Sequence, residues 1–282
     1  MLPVHPPEYV AARRVLLDAL EALEPQISSV VLVGAQAIYV HTGDVPGTGV
    51  ATTTDSDLAL DVDLVCDDPE ITNRLEEAGF VNSGQPGRWF GAGAVALDIM
   101  VAPFQAGTAS RSARAAKLPP HEKSLARITG GLEPSLVDHA AHVITALDEL
   151  DSRSASVNVA GPAALLVAKL VKIAERHDDV AAGKKSRLKN KDAVDCLRLL
   201  SETEPEDMLA GLQCHADAGT QAAQVSRDAL GWLAEQHARG PESRLRSMIS
   251  QDLSATEDAR FDALVDELLR DCTKAALIPI SP

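Results

Sequence analysis

Two aspartates separated by one residue, Asp55 and Asp57, begin a stretch in which polar and apolar residues alternate. Residues two apart on a strand face the same way, with Cα atoms about 6.5–7 Å apart. A third acid, Asp98, lies in the apolar run 95–101, where an unpaired carboxylate is unfavourable. If the two strands are neighbours, three carboxylates converge. Carboxylate oxygens, together with substrate phosphates, are the usual ligands of Mg²⁺, so the pattern predicts a metal and phosphate site.

A second pair of aspartates, Asp61 and Asp63, has the same spacing in the same stretch. We interpret this pair as the solvated face of a strand that covers residues 56–65, with the leucines and valine on the other face. Asp55 and Asp57 differ from it in position. They follow a loop rich in Gly, Pro and Thr, and they stand where the strand begins.

A glycine at the end of a short β-branched run is the next candidate feature. Residues 28–34, with the sequence SSVVLVG, predict a buried strand that passes into a helix at about residue 35. At such a turn Gly34 lets backbone amides approach a phosphate, because glycine has no Cβ. Neither GxxxxGK[ST] nor GxGxxG occurs in the chain.

Three segments in this order resemble the nucleotidyltransferase superfamily: residues 32–37 (LVGAQA), 53–58 (TTDSDL) and 97–101 (LDIMV). That family has a glycine turn, a DxD or DxE strand and a third acid on a later strand. The branch that looks nearest is the AbiEii-type or MenT-type nucleotidyltransferases of bacterial toxin–antitoxin systems. That branch also has a helical lysine and, after a basic segment, an Arg/Lys-Asp-x-x-Asp helix, which residues 168–176 and 190–198 resemble.

The resemblance covers roughly residues 28–200 and implies that an acceptor hydroxyl attacks the α-phosphorus of a nucleoside triphosphate, with pyrophosphate as leaving group. The implied metal is Mg²⁺ or Mn²⁺. It implies Asp55, Asp57 and Asp98 as metal ligands, these three with Lys169 and Asp192 as catalytic residues, and Gly34, Ala35, Thr54, Ser56, Lys172 and Arg176 as nucleotide-binding residues.

The helical part of this motif has a spacing of its own. Lys169, Lys172 and Arg176 are spaced i, i+3 and i+7, so they share one helix face where they could hold triphosphate charge. In the resemblance, Asp192 would orient Lys169 or Arg176. The alternatives are a lysine whose stem lies along a core helix and, for Asp192, a helix N-cap or an ion pair with Lys191 or Arg198.

The net charge of −15 argues against nucleic-acid binding through the whole surface. Two local basic segments, residues 111–127 and 184–191, are either solvated faces or contacts that steer an RNA acceptor. The resemblance suggests tRNA as this acceptor and an antitoxin protein as a further partner. A protein acceptor is the alternative, and Thr53, Thr54 and Ser56 beside the acids would suit self-modification.

The remaining sequence features predict a cytoplasmic protein that does not enter the membrane. Apolar residues make up 45% of the 282 residues, but no apolar run approaches the roughly 20 residues that cross a bilayer. The N-terminus lacks the basic and apolar regions of a signal peptide. The four cysteines have no CxxC or zinc spacing, the histidines have no ligand spacing, and no Ser-His-Asp arrangement is suggested.

The elements that must position these residues form two predicted parts. Residues 1–155 are expected to be a nucleotidyltransferase-like domain, and residues 156–282 a helical C-terminal domain, with the boundary in the polar stretch 148–160. The fold class is α+β, because strand–helix alternation is too incomplete for a doubly wound fold. The first part is a mixed sheet with covering helices: helix 8–23, strand 28–34, strand 56–65, helix 69–78 with Asp67 or Asp68 as cap, and hairpin 86–104. The second is a bundle with helices in 162–176, 192–200, 205–238, 241–253 and 256–276.

Two rival hypotheses accompany the enzyme. The first is a catalytically inactive nucleotidyltransferase-like module that binds nucleotide, RNA or a protein partner, because Ala35 stands where the family has Gly or Ser. In that case we expect Asp98 more than about 8 Å from both Asp55 and Asp57, since two-metal sites hold their ions closer. The second is a partner-binding protein, which predicts an exposed apolar stripe over residues 225–238.

Overall fold

The computed structural model describes residues 5–45, 48–108, 113–122, 124–183, 190–243, 245–248 and 254–278. These residues form an eight-stranded mixed sheet and a set of helices, with a helical C-terminal region. The fold is therefore mixed α/β with an open sheet. Within the two basic segments, residues 111–112, Lys123 and residues 184–189 lie outside the described residues.

The strands have the order β3–β4–β5–β2–β1–β8–β7, and β6 pairs with β5 off this path. The β1–β8, β2–β5 and β5–β6 pairs are parallel, and the other pairs are antiparallel. The strands are β1 Val30–Val33, β2 Asp55–Leu60, β3 Val81–Asn82, β4 Arg88–Phe90, β5 Ala96–Val101, β6 Arg127–Ile128, β7 His139–Thr145 and β8 Ser154–Ala160.

The helices follow the apolar periodicity of the sequence. They are α1 Pro7–Ala22, α2 Gly34–Thr42, α3 Ile71–Glu77, α4 Pro162–Ala181, α5 Asn190–Glu202, α6 Pro205–Asp217, α7 Thr220–Ala238 and α8 Ala255–Lys274. None of the described helices has both the length and the apolar character needed to cross a membrane. The stretch 205–238, predicted to be helical, forms two helices, and Gly219, with φ +121°, lies between them. Of the predicted helix 241–253, residues 244 and 249–253 lie outside the described part.

The strand predicted over residues 56–65 is shorter in the structure, because β2 ends at Leu60. The Asp61 side chain accepts a hydrogen bond from the backbone N–H of Asp63 and begins a short 3₁₀ turn. Aspartate side chains compete in this way with the strand ladder. The interpretation of Asp61 and Asp63 as a strand face was therefore wrong, whereas the burial of Leu58 and Leu60 is confirmed.

The start of α3 also differs from the prediction. The helix begins at Ile71, and its N-cap, Glu70, makes no side-chain capping bond, so the caps predicted at Asp67 and Asp68 are not formed. The preceding backbone is held instead by the amide of Gln26. This side chain donates to the carbonyls of Cys66 and Pro69, at 2.7 and 2.9 Å, and accepts from the N–H of Cys66.

The predicted boundary stretch 148–160 contains β8, which pairs in parallel with β1 near the centre of the sheet. Val157 and Val159 are buried, so the polar residues Ser154, Ser156 and Asn158 occupy the alternate positions of a half-buried strand. The sheet thus continues to Ala160, and the helical region starts with α4. In α7, Leu230 and Leu233 are buried and Val225 is partly buried, so the apolar residues of 225–238 form no exposed stripe.

Candidate functional site

The three predicted acids lie in one part of the sheet. Asp57 on β2 and Asp98 on β5 are register partners in a parallel pair, and adjacent strands are about 4.8 Å apart. Register partners face the same side of a sheet, and Asp55, two residues before Asp57, faces that side as well. The wide separation of Asp98 from the other acids, expected for an inactive module, is therefore not found.

The predicted glycine lies directly against this row. Gly34 has φ +70° and is the first residue of α2. A Cβ at this position would lie only 2.8 Å from both Cβ and Cγ of Asp57, and even closer to its carboxylate oxygen. Glycine is thus required twice, by its left-handed conformation and by the space that Asp57 occupies.

The carboxylate of Asp57 is electrostatically crowded. Burial, followed by the charges of Asp55 and Asp98, raises its pKa to about 6, although Lys172 and Arg127 act in the opposite direction. A carboxylate with such a pKa is partly protonated near pH 6 and strongly favours a nearby cation. Perturbed titration of this kind is a mark of functional sites.

Asp98 is 4% exposed, and two arginines face one of its oxygens. Its Oδ2 lies 3.2 Å from Arg127 Nη2 and 3.6 Å from Arg88 Nη1. Its other oxygen, Oδ1, has no hydrogen-bond partner among the described residues. Burial raises the pKa of Asp98 and outweighs the two arginines, which lower it. Sequence reasoning missed Arg88 and counted Arg127 only as part of a basic segment.

The hydroxyl residues around the acids have different environments. Thr53 Oγ1 donates to Asp55 Oδ1 at 2.7 Å, and Thr54 is exposed beside it. Ser56 is fully buried on the opposite face of β2, where it donates to the carbonyl of Ala12 at 3.0 Å. The structure therefore does not bring Ser56 to the acids, because strand alternation turns its side chain away.

The helix that begins at Gly34 contributes two further positions. Ala35 is buried in its first turn and offers only backbone groups. Gln36 accepts from Arg13 Nε at 2.8 Å and donates to Ser56 Oγ at 2.8 Å and to the carbonyl of Asp55 at 3.2 Å. This buried chain of hydrogen bonds fixes the first residues of β2, and with them the direction of the acids.

Asp192 lies at the centre of a cluster of cations, as its predicted orienting role requires. Its Oδ1 accepts from Lys169 and Lys172, both at 2.9 Å, and its Oδ2 accepts from Arg176 at 2.7 Å. Lys169 also donates to Asp195 Oδ2 at 2.7 Å. Asp192 lies inside the first turn of α5, so it is not the helix N-cap, and its ion pairs are with α4.

Burial and charge give the members of this cluster different roles. Burial alone would lower the pKa of Lys169, but Asp195 and Asp192 raise it well above its usual range. Burial would raise the pKa of Asp192, but Lys169 and Lys172 hold it far below its usual range. The side chain of Lys172 is 42% exposed, and its charge lowers the pKa of both Asp57 and Asp98. Lys169 is thus a buried anchor, whereas Lys172 reaches the acids electrostatically.

The buried Arg198, which the sequence suggested only as an ion-pair partner of Asp192, holds the loop before Asp55. Arg198 is 2% exposed, and it donates to the carbonyls of Gly43, Thr48 and Gly49, with 2.9 Å to Thr48. Its guanidinium also lies over the ring of Tyr39, 5.4 Å from the centroid. Its spacing from Asp195 on one helix face was the only available signal.

A Ser-His-Asp arrangement is present after all, far from the acids in the chain. His215 lies 2.9 Å from Ser226 Oγ through Nδ1 and 3.1 Å from Asp138 Oδ2 through Nε2. His215 is completely buried and Ser226 is 5% exposed, so a substrate has no access. Asp138 Oδ2 also accepts from the N–H of Ala164 in the first turn of α4 at 3.1 Å. These contacts connect helices and do not form a catalytic site.

The acids fit Mg²⁺ or Mn²⁺ in their chemistry, because both ions prefer carboxylate oxygens. The crowded Asp57 and the unpartnered Oδ1 of Asp98 are groups that a divalent cation would compensate. With the side chains as they stand, the described residues contain no group of three His, Cys, Asp or Glu side chains arranged as metal ligands. At the third acid, Asp98, the partners present are the two arginines.

Comparison with known proteins does not assign the chain to a family. No protein-family model matches the chain, and no curated protein or solved structure matches it either. The resemblance to nucleotidyltransferases stays a prediction that depends on the residues themselves.

Proposed function

We propose that the protein is a metal-dependent nucleotidyltransferase, a toxin-like cytoplasmic enzyme that moves a nucleotide from a nucleoside triphosphate to an acceptor. tRNA is the proposed acceptor, and an antitoxin protein is a proposed partner. The observation that supports this most is the register of Asp57 with Asp98, because these two acids stand on adjacent strands next to Gly34, with Asp55 two residues before Asp57 on the same face. Asp55 and Asp57 belong to β2 and Asp98 to β5, strands that are separated in the sequence and are parallel neighbours in the sheet.

In this proposal Asp55, Asp57 and Asp98 hold Mg²⁺ or Mn²⁺. The bound ion would supply neutralisation of phosphate charge and a lower pKa of the attacking hydroxyl. As the alternative to binding metal, Asp98 would act as the base, since burial raises its pKa toward the range where a carboxylate accepts a proton effectively. The backbone at Gly34 and Ala35 opens α2 and offers amides to a phosphate.

The cluster on α4 and α5 would bind the triphosphate. Lys172 and Arg176 have side chains that are 42% and 21% exposed, so they can contact phosphate oxygens. Lys169 is enclosed between Asp192 and Asp195, so we assign it and Asp192 the role of positioning these two cations. This division refines the catalytic role predicted for Lys169.

The inactive module remains the second candidate, because one observation favours it. Asp98 Oδ2 faces Arg127 and Arg88, and such a pairing neutralises the third acid without a metal. In that case the protein binds a nucleotide or a partner through the same residues but transfers nothing.

The test is transfer of label from each α-³²P nucleoside triphosphate, with and without total tRNA, in the presence and absence of Mg²⁺. Asp57→Ala is compared with Asp63→Ala, which removes an exposed acid six residues away. The proposal predicts Mg²⁺-dependent labelling of RNA that Asp57→Ala loses and Asp63→Ala retains. Labelling of the protein alone would assign a protein acceptor. Mg²⁺-dependent nucleotide binding without transfer would favour the inactive module, and full transfer by Asp57→Ala would contradict the proposal.

A further inference from the structure

Two arginines, Arg88 and Arg127, lie beside Asp98 on the strands that follow β5 in the sheet. Arg88 on β4 is the register partner of Asp98 in an antiparallel pair, so it faces the same side of the sheet as Asp98 and Asp57. Arg127 is the first residue of β6, which pairs with β5 on the same edge as β4 does. Its side chain contacts the same Asp98 carboxylate. Asp57, Asp98 and Arg88 thus lie on the neighbouring strands β2, β5 and β4.

The contacts with Asp98 leave most donors of these arginines unused. Both guanidiniums face the single oxygen Oδ2, at 3.2 and 3.6 Å, and each group has five N–H donors. The side chains are 38% exposed at Arg88 and 37% exposed at Arg127, although Asp98 itself is buried. The Nε of Arg127 is buried and has no hydrogen-bond partner among the described residues. Asp98 therefore positions two guanidiniums beside the acids, with Arg127 Nη2 also 3.2 Å from Met100 Sδ, and their planar geometry suits phosphate.

These arginines lie on the opposite side of the acids from the triphosphate cluster. The strand order places β4 and β6 beyond β5, whereas β1, which leads into Gly34, lies on the far side of β2. The helices that carry Lys172 and Asp192 pack on α2. A phosphate held at Arg88 and Arg127 is therefore a different phosphate from one held at the turn of Gly34.

Further basic residues extend this arginine pair along the surface. Ala115 forms an antiparallel bridge with Arg127, and its neighbours Arg114 and Lys117 are exposed. In a chain with a net charge of −15, this segment adds positive charge beside the arginine pair. Several cations along one segment fit a chain of phosphates better than one small anion, because each phosphate contact adds to the affinity.

We infer that Arg88 and Arg127 bind a backbone phosphate of the acceptor, and that this acceptor is an unpaired nucleic-acid strand whose path continues over Arg114 and Lys117. We choose an unpaired end because Asp98 is nearly buried, and a single strand brings its terminal hydroxyl to a buried carboxylate more easily than a duplex does. The inference rests on the proposed function, since it assigns the side of the site from which the attacking hydroxyl enters.

The test measures two affinities on each variant: Mg²⁺-dependent binding of a fluorescent nucleoside triphosphate, and binding of a fluorescein-labelled oligouridylate over about 50 to 200 mM salt. The variants are Arg88→Gln and Arg127→Gln. The matched control is Arg74→Gln on α3, whose side chain is also 38% exposed and forms an ion pair with Glu77. Arg127→Lys keeps the charge next to Asp98 and removes the planar fork, so it preserves folding if the glutamine variant is unstable.

We expect Arg88→Gln and Arg127→Gln to weaken oligouridylate binding by about tenfold and to lower the salt slope by about 0.7 for each phosphate that the variant no longer binds. Nucleotide binding should weaken less than oligouridylate binding does, and Arg74→Gln should resemble the wild type in both assays. Arg127→Lys should show an intermediate affinity for the RNA.

Two results would overturn the inference while leaving the proposed function intact. The first is Mg²⁺-dependent nucleotide binding with an RNA affinity of the arginine variants equal to that of Arg74→Gln. The second is an equal loss of nucleotide and RNA binding, which would make the arginines triphosphate ligands. Absence of Mg²⁺-dependent nucleotide binding in the wild type would instead contradict the proposed function, and the inference with it.

Discussion

Asp57 and Asp98 occupy the same register position on the parallel strands β2 and β5, and their carboxylates face the same side of the sheet. Burial and the charges of Asp55 and Asp98 raise the pKa of Asp57 to about 6. Such an arrangement is unfavourable for the fold at neutral pH unless a cation is near. A bound cation would compensate this unfavourable charge. The same three acids should therefore affect the free energy of unfolding, its dependence on pH, and ligand binding.

Replacement of Asp57 by asparagine should stabilise the protein at neutral pH. Because the folded-state pKa is about 6 and the ordinary value is 3.8, the stability contributed by the protonated carboxyl is present below 3.8 and is lost as pH rises through 6. We expect Asp57→Asn to raise the free energy of unfolding by about 1–3 kcal/mol at pH 7.5 and by about a third of that at pH 4.5. Urea unfolding at both pH values measures this, and an equal change at both would contradict it.

Alanine at Gly34 should impair the site more than alanine at Gly43. Both glycines have positive φ, +70° and +58°, so each substitution strains the backbone by about 1–3 kcal/mol. A Cβ at Gly43 meets nothing within 4 Å, whereas one at Gly34 overlaps Asp57. Gly34→Ala should therefore abolish Mg²⁺-dependent nucleotide binding and Gly43→Ala should retain it. Equal affinity of the two variants in a fluorescence titration would show that Gly34 and Asp57 do not form one site.

Replacement of the two lysines of α4 should have different effects: one variant should lose stability and the other nucleotide affinity. Lys169→Met leaves Asp192 and Asp195 without their buried counter-ion and should lower the free energy of unfolding by about 3–5 kcal/mol. Lys172→Met removes a side chain that is 42% exposed, so stability should change by less than about 1 kcal/mol. Its nucleotide affinity should nevertheless fall about tenfold. Denaturation and nucleotide titration of both variants check this, and normal affinity in Lys172→Met would exclude that side chain as a phosphate ligand.

The buried Ser-His-Asp contacts should affect only stability. Ser226→Ala removes the hydroxyl that lies 2.9 Å from His215 Nδ1 and should lower the free energy of unfolding by about 1–2 kcal/mol. Label transfer per folded molecule should equal that of the wild type. A variant that folds normally but loses transfer would show that this arrangement takes part in catalysis.

Elements with a clear period could be predicted from the sequence. The apolar stripe of α1, the β-branched run of β1 and the hairpin of β4 and β5 all lie where the residues indicate. The positions of Asp57 and Asp98 were predicted because both acids stand in strands. That the two acids lie close together depended on their strands being neighbours, which the sequence did not show. In the structure β2 and β5 pair, with Asp57 opposite Asp98.

Contacts that depend on strand order or on loop geometry could not be predicted. Arg88 is ten residues from Asp98 and becomes its partner only through the antiparallel register of β4 and β5. Arg198 binds loop carbonyls 149 or more residues away, and no spacing along the chain encodes that. β8 was missed because its alternation consists of small residues, and Ser56 was misplaced because it was grouped with its neighbours along the chain and not by the face of its strand.

The measurement that tests the central claim most directly is Mg²⁺-dependent nucleotide binding, by calorimetric titration, of Asp55→Asn, Asp57→Asn and Asp98→Asn. Asp63→Asn is the control, since it removes an exposed acid outside β2. If the three acids form one metal and nucleotide site, each of the three variants binds at least about tenfold more weakly, a loss of about 1.4 kcal/mol or more, while the control binds as the wild type does. Affinities of all three variants equal to that of Asp63→Asn, or no Mg²⁺-dependent binding by the wild type, would contradict the account.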